Sequence, residues 1–227
     1  MTDTENPVLP YPHPIIAREG WAFLFVFLLA TLLCQWLHWG MAAALFGLAF
    51  LFSLQFFRDP ARVVAGADAY AITAPADGRV IAVEECDDPW LSRRALKISV
   101  FMNVFNVHSN RSPLDGEVRQ VFYHPGRFFN AALAKASLEN ERCATHFVSA
   151  DGRDVVCVQV AGLIARRILN NARIGKRFTR GERFGFIRFG SRVDTYLPLD
   201  AVTRVTIGDK VLAASTLLAE LSRPARA

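Results

Sequence analysis

The chain has 227 residues, 52% of them apolar and 21% charged, with a formal net charge of +5. That composition excludes a disordered chain and points to a membrane segment beside one ordinary domain. The four cysteines, Cys34, Cys86, Cys143 and Cys157, form no CxxC pair and have no histidine at ligand spacing. This argues against a metal site or a disulfide framework and for free thiols in a reducing compartment.

Residues 1–19 read as a polar, proline-containing tail. From Gly20 to Phe57 no residue is charged. One straight helix of that length would reach roughly 57 Å, well beyond a bilayer core of about 30 Å. A break near Trp39-Gly40 therefore predicts a helical hairpin over 20–57, spanning the bilayer or embedded from one side. Trp21, Trp36 and Trp39 stand near the ends of its first half, where interfacial aromatics belong. A cleaved signal peptide is disfavoured, because there is no basic n-region and the apolar run is long and begins late. Arg58 and Arg62 just after the hairpin place the following domain in the cytoplasm. The competing reading is a buried hairpin of a soluble protein.

After Asp59-Pro60 the pattern becomes mainly β. Short runs such as "RALKISVFM", "GEVRQVFYH", "RCATHFVSA", "RDVVCVQVAG" and "VTRVTIGDKVLA" alternate with turn signals at Ala76-Asp77-Gly78, Asp115-Gly116 and Asp151-Gly152. "GLIARRILNNA" reads as one short helix and "STLLAELS" as another short element. The expectation is a β-rich domain over 58–227, and the tail "IGDKVLAASTLLAEL" suggests a barrel-sandwich pattern. Between Arg166 and Arg192 stand nine Lys or Arg and a single acid, Glu182. Such a run suits an anionic partner or, equally, a solvated strand face.

Polar residues embedded among these strands are the candidates for chemistry. Asp77 sits in an Asp-Gly turn. His108 follows an apolar run containing Asn103 and Asn106 and precedes Arg111. The stretch "HPGRFFNAALAKASLENER" is dense in amides and charges, and marks a site or a domain-edge network. In "RFGSRVD", Gly190 directly precedes Ser191. A hydrolase elbow needs Gly-x-Ser-x-Gly between strand and helix, so this context does not support one. A Gly-Ser bond in a tight turn permits another reaction, attack of the hydroxyl on the preceding, sterically open carbonyl. The acyl group shifts from nitrogen to oxygen, β-elimination leaves dehydroalanine, and hydrolysis gives an N-terminal pyruvoyl group.

"FFRDPAR", "APADGRV", "FMNVFNVHSNRSPLDG", "HPGRFFNA…KASLENER", "VQVAGLIARRI" and "RFGFIRFGSRVDTYLP" occur in this order. Together they resemble the short bacterial and archaeal form of phosphatidylserine decarboxylase, from about Phe56 to Val211. The resemblance implies self-cleavage between Gly190 and Ser191 into a large chain, 1–190, and a small chain, 191–227, that remain together as a heterodimer. It implies that Ser191 becomes a pyruvoyl cofactor, whose ketone forms a Schiff base with the amine of phosphatidylserine and releases phosphatidylethanolamine. Asp77 matches the family motif and would orient a histidine that activates the serine. His108 matches the first histidine of the family's segment, while Arg111 stands where longer members carry a second. That departure leaves two candidates for the base of self-cleavage: His108, serving both maturation and the proton transfer after decarboxylation, or His146. Arg111, Asn103 and His146 are candidate substrate contacts. The membrane is the expected partner, with no nucleic acid and no metal, and the cell membrane's cytoplasmic face is the expected location. An embedded hairpin would keep the active site at headgroup height. The alternatives are a membrane-anchored serine hydrolase using Ser191, His108 and Asp77, a non-catalytic β-domain binding anionic lipid, and a pyruvoyl enzyme acting on a soluble amino acid.

Overall fold

The computed structural model describes residues 15–66, 68–133, 136–162, 168–188 and 190–223. Its contacts divide the chain into two units, one over Pro10–Ala61 and the other containing Arg62–Ala227.

The first unit is a helical hairpin. A 3-10 turn at Arg18–Gly20 leads into α1 (Trp21–Trp36), and α2 (Gly40–Phe56) follows after three residues. The reversal is carried by His38, at φ 59°, and closed by the Trp39 N–H donating to the Cys34 carbonyl at 2.9 Å. Thr31 and Ser53 donate their hydroxyls back to Phe27 O and Ala49 O, so neither leaves an unmatched polar group on an apolar helix. Phe25, Leu29, Leu32, Met41, Leu45 and Leu48 are all more than half exposed. A helix with such a surface is suited to lipid rather than water. Arg18–Trp36 is long and apolar enough to cross a membrane, and Gly40–Phe56 is somewhat shorter.

The second unit is mainly β. Its early strands are β1 (Ala71–Thr73), β2 (Gly78–Asp88), β3 (Arg93–Met102), β4 (Ser109–Arg111) and β5 (Gly116–His124). A four-residue helix, α3 (Ala136–Glu139), precedes β6 (Arg142–Ser149), β7 (Asp154–Val160), β8 (Ile168–Asn170) and β9 (Arg177–Phe178). The last strands are β10 (Arg183–Ile187), β11 (Ser191–Leu197), β12 (Val202–Thr203), β13 (Lys210–Val211) and β14 (Leu217–Glu220). Eight strands form one curled sheet in the order β13-β2-β3-β11-β7-β6-β5-β9, a half-barrel. Two three-stranded sheets, β1-β14-β12 and β4-β10-β8, accompany it. Every strand pairing in the three sheets is antiparallel.

The expected mainly β class is borne out, and one local expectation is revised. The first half of "GLIARRILNNA", residues 163–167, lies outside the described residues, whereas Ile168–Asn170 is strand β8, not helix. Three successive residues there pair with β10, and the ladder outweighs the modest helix propensity of Ile-Leu-Asn. "STLLAELS" contains strand β14, held between β1 and β12.

Both faces of the large sheet are covered. Ile98, Val100, Met102, Val193, Leu197 and Phe147 belong to one core cluster, and Ala95, Ala144, Val156, Val158, Val160 and Tyr196 to a second. On the first face Phe147, Phe178 and Phe184 meet edge-on, with centroids 5.5–6.5 Å apart. Such ring pairs add about 0.5–1.5 kcal/mol each beyond area burial. Strand β11 lies mid-sheet between β3 and β7, and all seven of its residues are buried.

Candidate active site

Ser191 opens β11 and faces Met102, its cross-strand partner at the end of β3. It is fully buried, and its hydroxyl donates to the Met102 sulfur at 3.4 Å. The same sulfur receives the Asn110 side-chain amide at 3.8 Å. Behind Asn110 runs a chain of amides, from the buried Gln159 to the half-buried Asn170. Gln159 Nε2 donates to Asn110 Oδ1 at 2.7 Å, and Asn170 Nδ2 donates to Gln159 Oε1 at 3.0 Å and to Thr145 Oγ1 at 2.8 Å. A satisfied network of this kind rigidifies its members, and here it ends on the atom that holds Ser191.

The residue before Ser191 is constrained in two ways. Gly190 has φ +61°, a left-handed conformation that side chains disfavour, although open space surrounds its Cα. Its carbonyl oxygen, in contrast, is pressed against Gly162. A methyl group built on Gly162 would lie 1.7 Å from that oxygen and 2.8 Å from the carbonyl carbon. Gly162 itself lies outside the left-handed region, so the close approach, not the backbone angle, is what requires glycine.

Asn140, fully buried, sets the position of this contact. Its amide donates to Phe129 O at 2.8 Å and Ala161 O at 2.7 Å, and its oxygen accepts from Phe129 N at 2.9 Å. The loop thus pinned to Ala161 also receives Arg192, whose Nη1 donates to Ala131 O and Leu133 O at 3.1 and 3.2 Å. Arg192 is paired along its own strand with Asp194, Nε to Oδ1 at 2.9 Å and Nη2 to Oδ2 at 3.1 Å. That two-point geometry lets both charges be buried in mid-sheet.

Asp77 stands one residue before β2 and is 3% exposed. Arg62 Nη2 meets its Oδ2 at 2.6 Å, and the Ala213 N–H donates to its Oδ1 at 2.8 Å. Each oxygen retains acceptor capacity after these contacts. His108 is fully buried just before β4, with its ring centroid 6.2 Å from that of Phe186. The Arg111 N–H donates to Pro75 O at 2.9 Å, which ties β4 to the loop carrying Asp77. Arg111 is itself buried and donates Nη1 to Gly181 O at 3.1 Å. Asn103 is exposed and shapes the loop between Met102 and His108: its Oδ1 accepts from Phe105 N at 2.9 Å.

Asp77, Asn103, His108, Arg111, Gly190 and Ser191 therefore gather at one end of the sheet. His146 does not join them. It shares a row with Val156 and Tyr196, four residues along from the row of Arg142, Val160 and Arg192. Four residues amount to roughly 13 Å of strand. There His146 Nε2 meets Asp154 Oδ1 at 2.7 Å.

The run of basic residues from 166 to 192 is not one basic face. Arg180, Arg183 and Arg192 are buried, and Arg180 donates to the carbonyls of Gly66, Asp68 and Ala71. Arg173, Lys176 and Arg177 are exposed, the latter two beside Glu182 and Glu117. A cavity of about 750 Å³, lined by Trp90, Lys97, Phe122, Arg142, Arg192 and Tyr196, opens on the sheet face opposite the Ser191 side chain. Burial beside Asp194 pushes the Tyr196 hydroxyl well above its usual range.

Met102, Gly162 and the Arg192–Asp194 pair were not singled out from sequence; Arg62 was read only as a topology signal, and Asn140 only as one polar residue of "HPGRFFNAALAKASLENER". Arg62, Asn140 and Gly162 nevertheless lie inside the motifs "FFRDPAR", "KASLENER" and "VQVAGLIARRI".

The family model for phosphatidylserine decarboxylase matches residues 49–219. A phosphatidylserine decarboxylase proenzyme of Nitrosomonas europaea is 60% identical over 210 residues, covering 92% of this chain and 97% of that protein. Another of that name from Ralstonia pickettii is 62% identical over 217 residues, covering 93% and 98%. A third, from Aromatoleum aromaticum, is 58% identical over 211 residues, covering 93% and 98%. With matches of this extent, the chain belongs to the phosphatidylserine decarboxylase family.

Proposed function

We propose that this protein decarboxylates phosphatidylserine to phosphatidylethanolamine after cutting itself between Gly190 and Ser191. The observation that carries the reading is the pairing of a left-handed Gly190, its carbonyl held against Gly162, with a buried serine directly after it.

In maturation the Ser191 Oγ attacks the Gly190 carbonyl carbon as its proton passes to a base, for which His108 is the candidate. Collapse breaks the Gly190–Ser191 C–N bond and leaves an ester on Oγ. Loss of the Ser191 α-proton then breaks the Cβ–Oγ bond, freeing the Gly190 carboxylate and leaving dehydroalanine at 191. Its enamine tautomerises to an imine, and water replaces the nitrogen, which leaves as ammonia. The chain's own residues have defined parts in this sequence. Gly162 and Asn140 hold the scissile carbonyl, Met102 holds the hydroxyl, and Arg62 with Ala213 N–H fixes Asp77 at the same end of the sheet.

The surroundings fit a pyruvoyl group at 191, because position 191 is fully buried and a methyl in place of the hydroxymethyl would rest on the thioether of Met102. Such a group supplies a ketone that condenses with the substrate amine and an electron sink for the pair left by departing carbon dioxide. The cut need not release the small chain, since β11 stays paired with β3 and β7, and β14 with β1. The apolar hairpin supports attachment to the cell membrane, and Arg58 and Arg62 after it support a cytoplasmic catalytic unit. A serine hydrolase is disfavoured, because Ser191 opens strand β11 and is followed by Arg192-Val193, with neither the second glycine nor the strand-to-helix turn of a nucleophile elbow.

Intact-mass analysis of the purified protein tests this. Two chains are expected, 1–190 and 191–227, the smaller lacking a free amine, and Ser191→Ala should give one chain without activity. A single uncut chain from an active preparation would sink the proposal.

A further inference from the structure

Two exposed apolar side chains flank the Ser191 end of the sheet, and both are raised by the same local device. Asn103 follows Met102, the cross-strand partner of Ser191, and its side-chain oxygen accepts from Phe105 N at 2.9 Å. The Asn106 N–H returns to Asn103 O at 3.1 Å, and the turn leaves Phe105 65% exposed. On the loop after β5 the Asn130 side-chain oxygen accepts from Ala132 N at 3.0 Å, and the Leu133 N–H returns to Asn130 O at 3.0 Å. That turn leaves Leu133 46% exposed, while its carbonyl accepts from Arg192, the residue after Ser191. Each is an Asx turn, in which asparagine closes the backbone on itself and needs no help from the core.

Single exposed apolar residues are ordinary, and this unit has others. What distinguishes these two is their placement and chemistry. Both turns, Asn103–Asn106 and Asn130–Leu133, contain no charged residue. Part of their backbone is matched locally, Phe105 N and Asn106 N in one turn and Ala132 N and Leu133 N in the other, which lowers the desolvation cost of moving the tips out of water.

We propose that Phe105 and Leu133 enter the apolar layer of the bilayer that carries the substrate, so that the Ser191 end of the β unit meets the lipid surface directly. The inference rests on the reading of phosphatidylserine as substrate. A lipid held in a bilayer presents its serine headgroup at the interface, with its acyl chains fixed below. A site that works on it gains from apolar side chains reaching the same depth as those chains.

The full-length protein is assayed on two substrates, phosphatidylserine diluted in phosphatidylcholine vesicles and a short-chain phosphatidylserine below its aggregation limit. Phe105→Asp and Leu133→Asp are expected to lower turnover on vesicles by about tenfold each. Turnover of the monodisperse substrate and the extent of chain cleavage should stay close to wild type. Unchanged activity on vesicles would overturn the inference, and so would an equal fall on both substrates, which would mark a structural role. Phe105→Trp provides a second measurement: its fluorescence in excess of wild type should be quenched by phosphatidylcholine brominated near the top of the acyl chain. An unquenched tryptophan also overturns the inference. Wild type inactive on both substrates would instead remove the reading on which it rests.

Discussion

Ser191 and Met102 face each other across the β11–β3 pair, and the Ser191 hydroxyl donates to the Met102 sulfur at 3.4 Å. A thioether is a weak acceptor and an apolar neighbour at once. It can hold a hydroxyl before the cut and pack against a methyl after it. Met102→Leu keeps the volume and removes the acceptor, at a stability cost under about 1.5 kcal/mol. Losing one hydrogen bond of this strength should slow chain cleavage by about two- to tenfold. A cleavage time course after cell-free synthesis checks this, and a variant that matures at the wild-type rate or faster would refute the holding role.

Arg62 is the residue on which Asp77 depends. The pair is largely buried, and breaking a buried pair by removing one partner costs about 3–5 kcal/mol. Arg62→Ala should accumulate uncut chain, and Arg62→Lys should mature partially. Guanidinium added well below denaturing concentrations should restore cleavage to Arg62→Ala. Absence of both rescues would mean that Arg62 does not act through its charge on Asp77.

The two glycines at the scissile bond fail differently when changed. Gly190→Ala meets open space but a left-handed backbone, a penalty of about 1–2 kcal/mol, so cleavage slows while the fold survives. Gly162→Ala drives a methyl into the Gly190 carbonyl and should block formation of the ester. Hydroxylamine, which cuts such an ester, should therefore release no small chain from folded Gly162→Ala. Release at the wild-type level would show that the Gly162 contact is dispensable.

His108 and His146 are separated by the same logic. His108→Gln should stop chain cleavage, because this histidine is buried at the Ser191 end of the sheet. His146→Gln should mature normally and show only a loss of stability through Asp154. Electrophoresis of the two variants decides the matter, and an uncut His146→Gln chain that is folded would contradict the placement.

The buried thiols predict an alkaline loss of stability. Burial pushes the Cys143 thiol up from 9.0 to about 11, with Asn170 opposing, and the Cys157 thiol up to about 12. Below pH 9 both are protonated in the folded and the unfolded chain, and stability does not depend on them. Above pH 9 the unfolded chain ionises first, so stability falls toward pH 11–12, by up to about 1.4 kcal/mol per unit for each thiol. Urea midpoints measured from pH 8 upward should decline, and Cys157→Ala should decline less steeply. An identical slope in the variant would exclude Cys157 as a source.

Much of this protein was legible without coordinates. An uncharged stretch from Gly20 to Phe57, too long for one span and interrupted at Trp39-Gly40, could only be a hairpin of apolar helices. The quoted β-rich runs match β3, β5, β6 and β7 to within a residue or two, because strand propensity and turn chemistry are local properties, whereas β8 was read as helix. The adjacency of Gly190 and Ser191 is likewise covalent and needs no fold to be read. What tertiary structure decided are relations between distant segments. All seven residues of "SRVDTYL" are buried, because Arg192 finds Asp194 and two loop carbonyls while neighbours cover both sheet faces. The basic run around it is in part structure by contact, since the buried Arg180 and Arg192 serve backbone carbonyls set far away in the chain. Likewise, the pressure of Gly162 on the Gly190 carbonyl, the grip of Arg62 on Asp77 and the distance of His146 from Ser191 depend on strand order and register. Residues far apart in sequence become neighbours only when the sheet closes, and no periodicity within a segment encodes that.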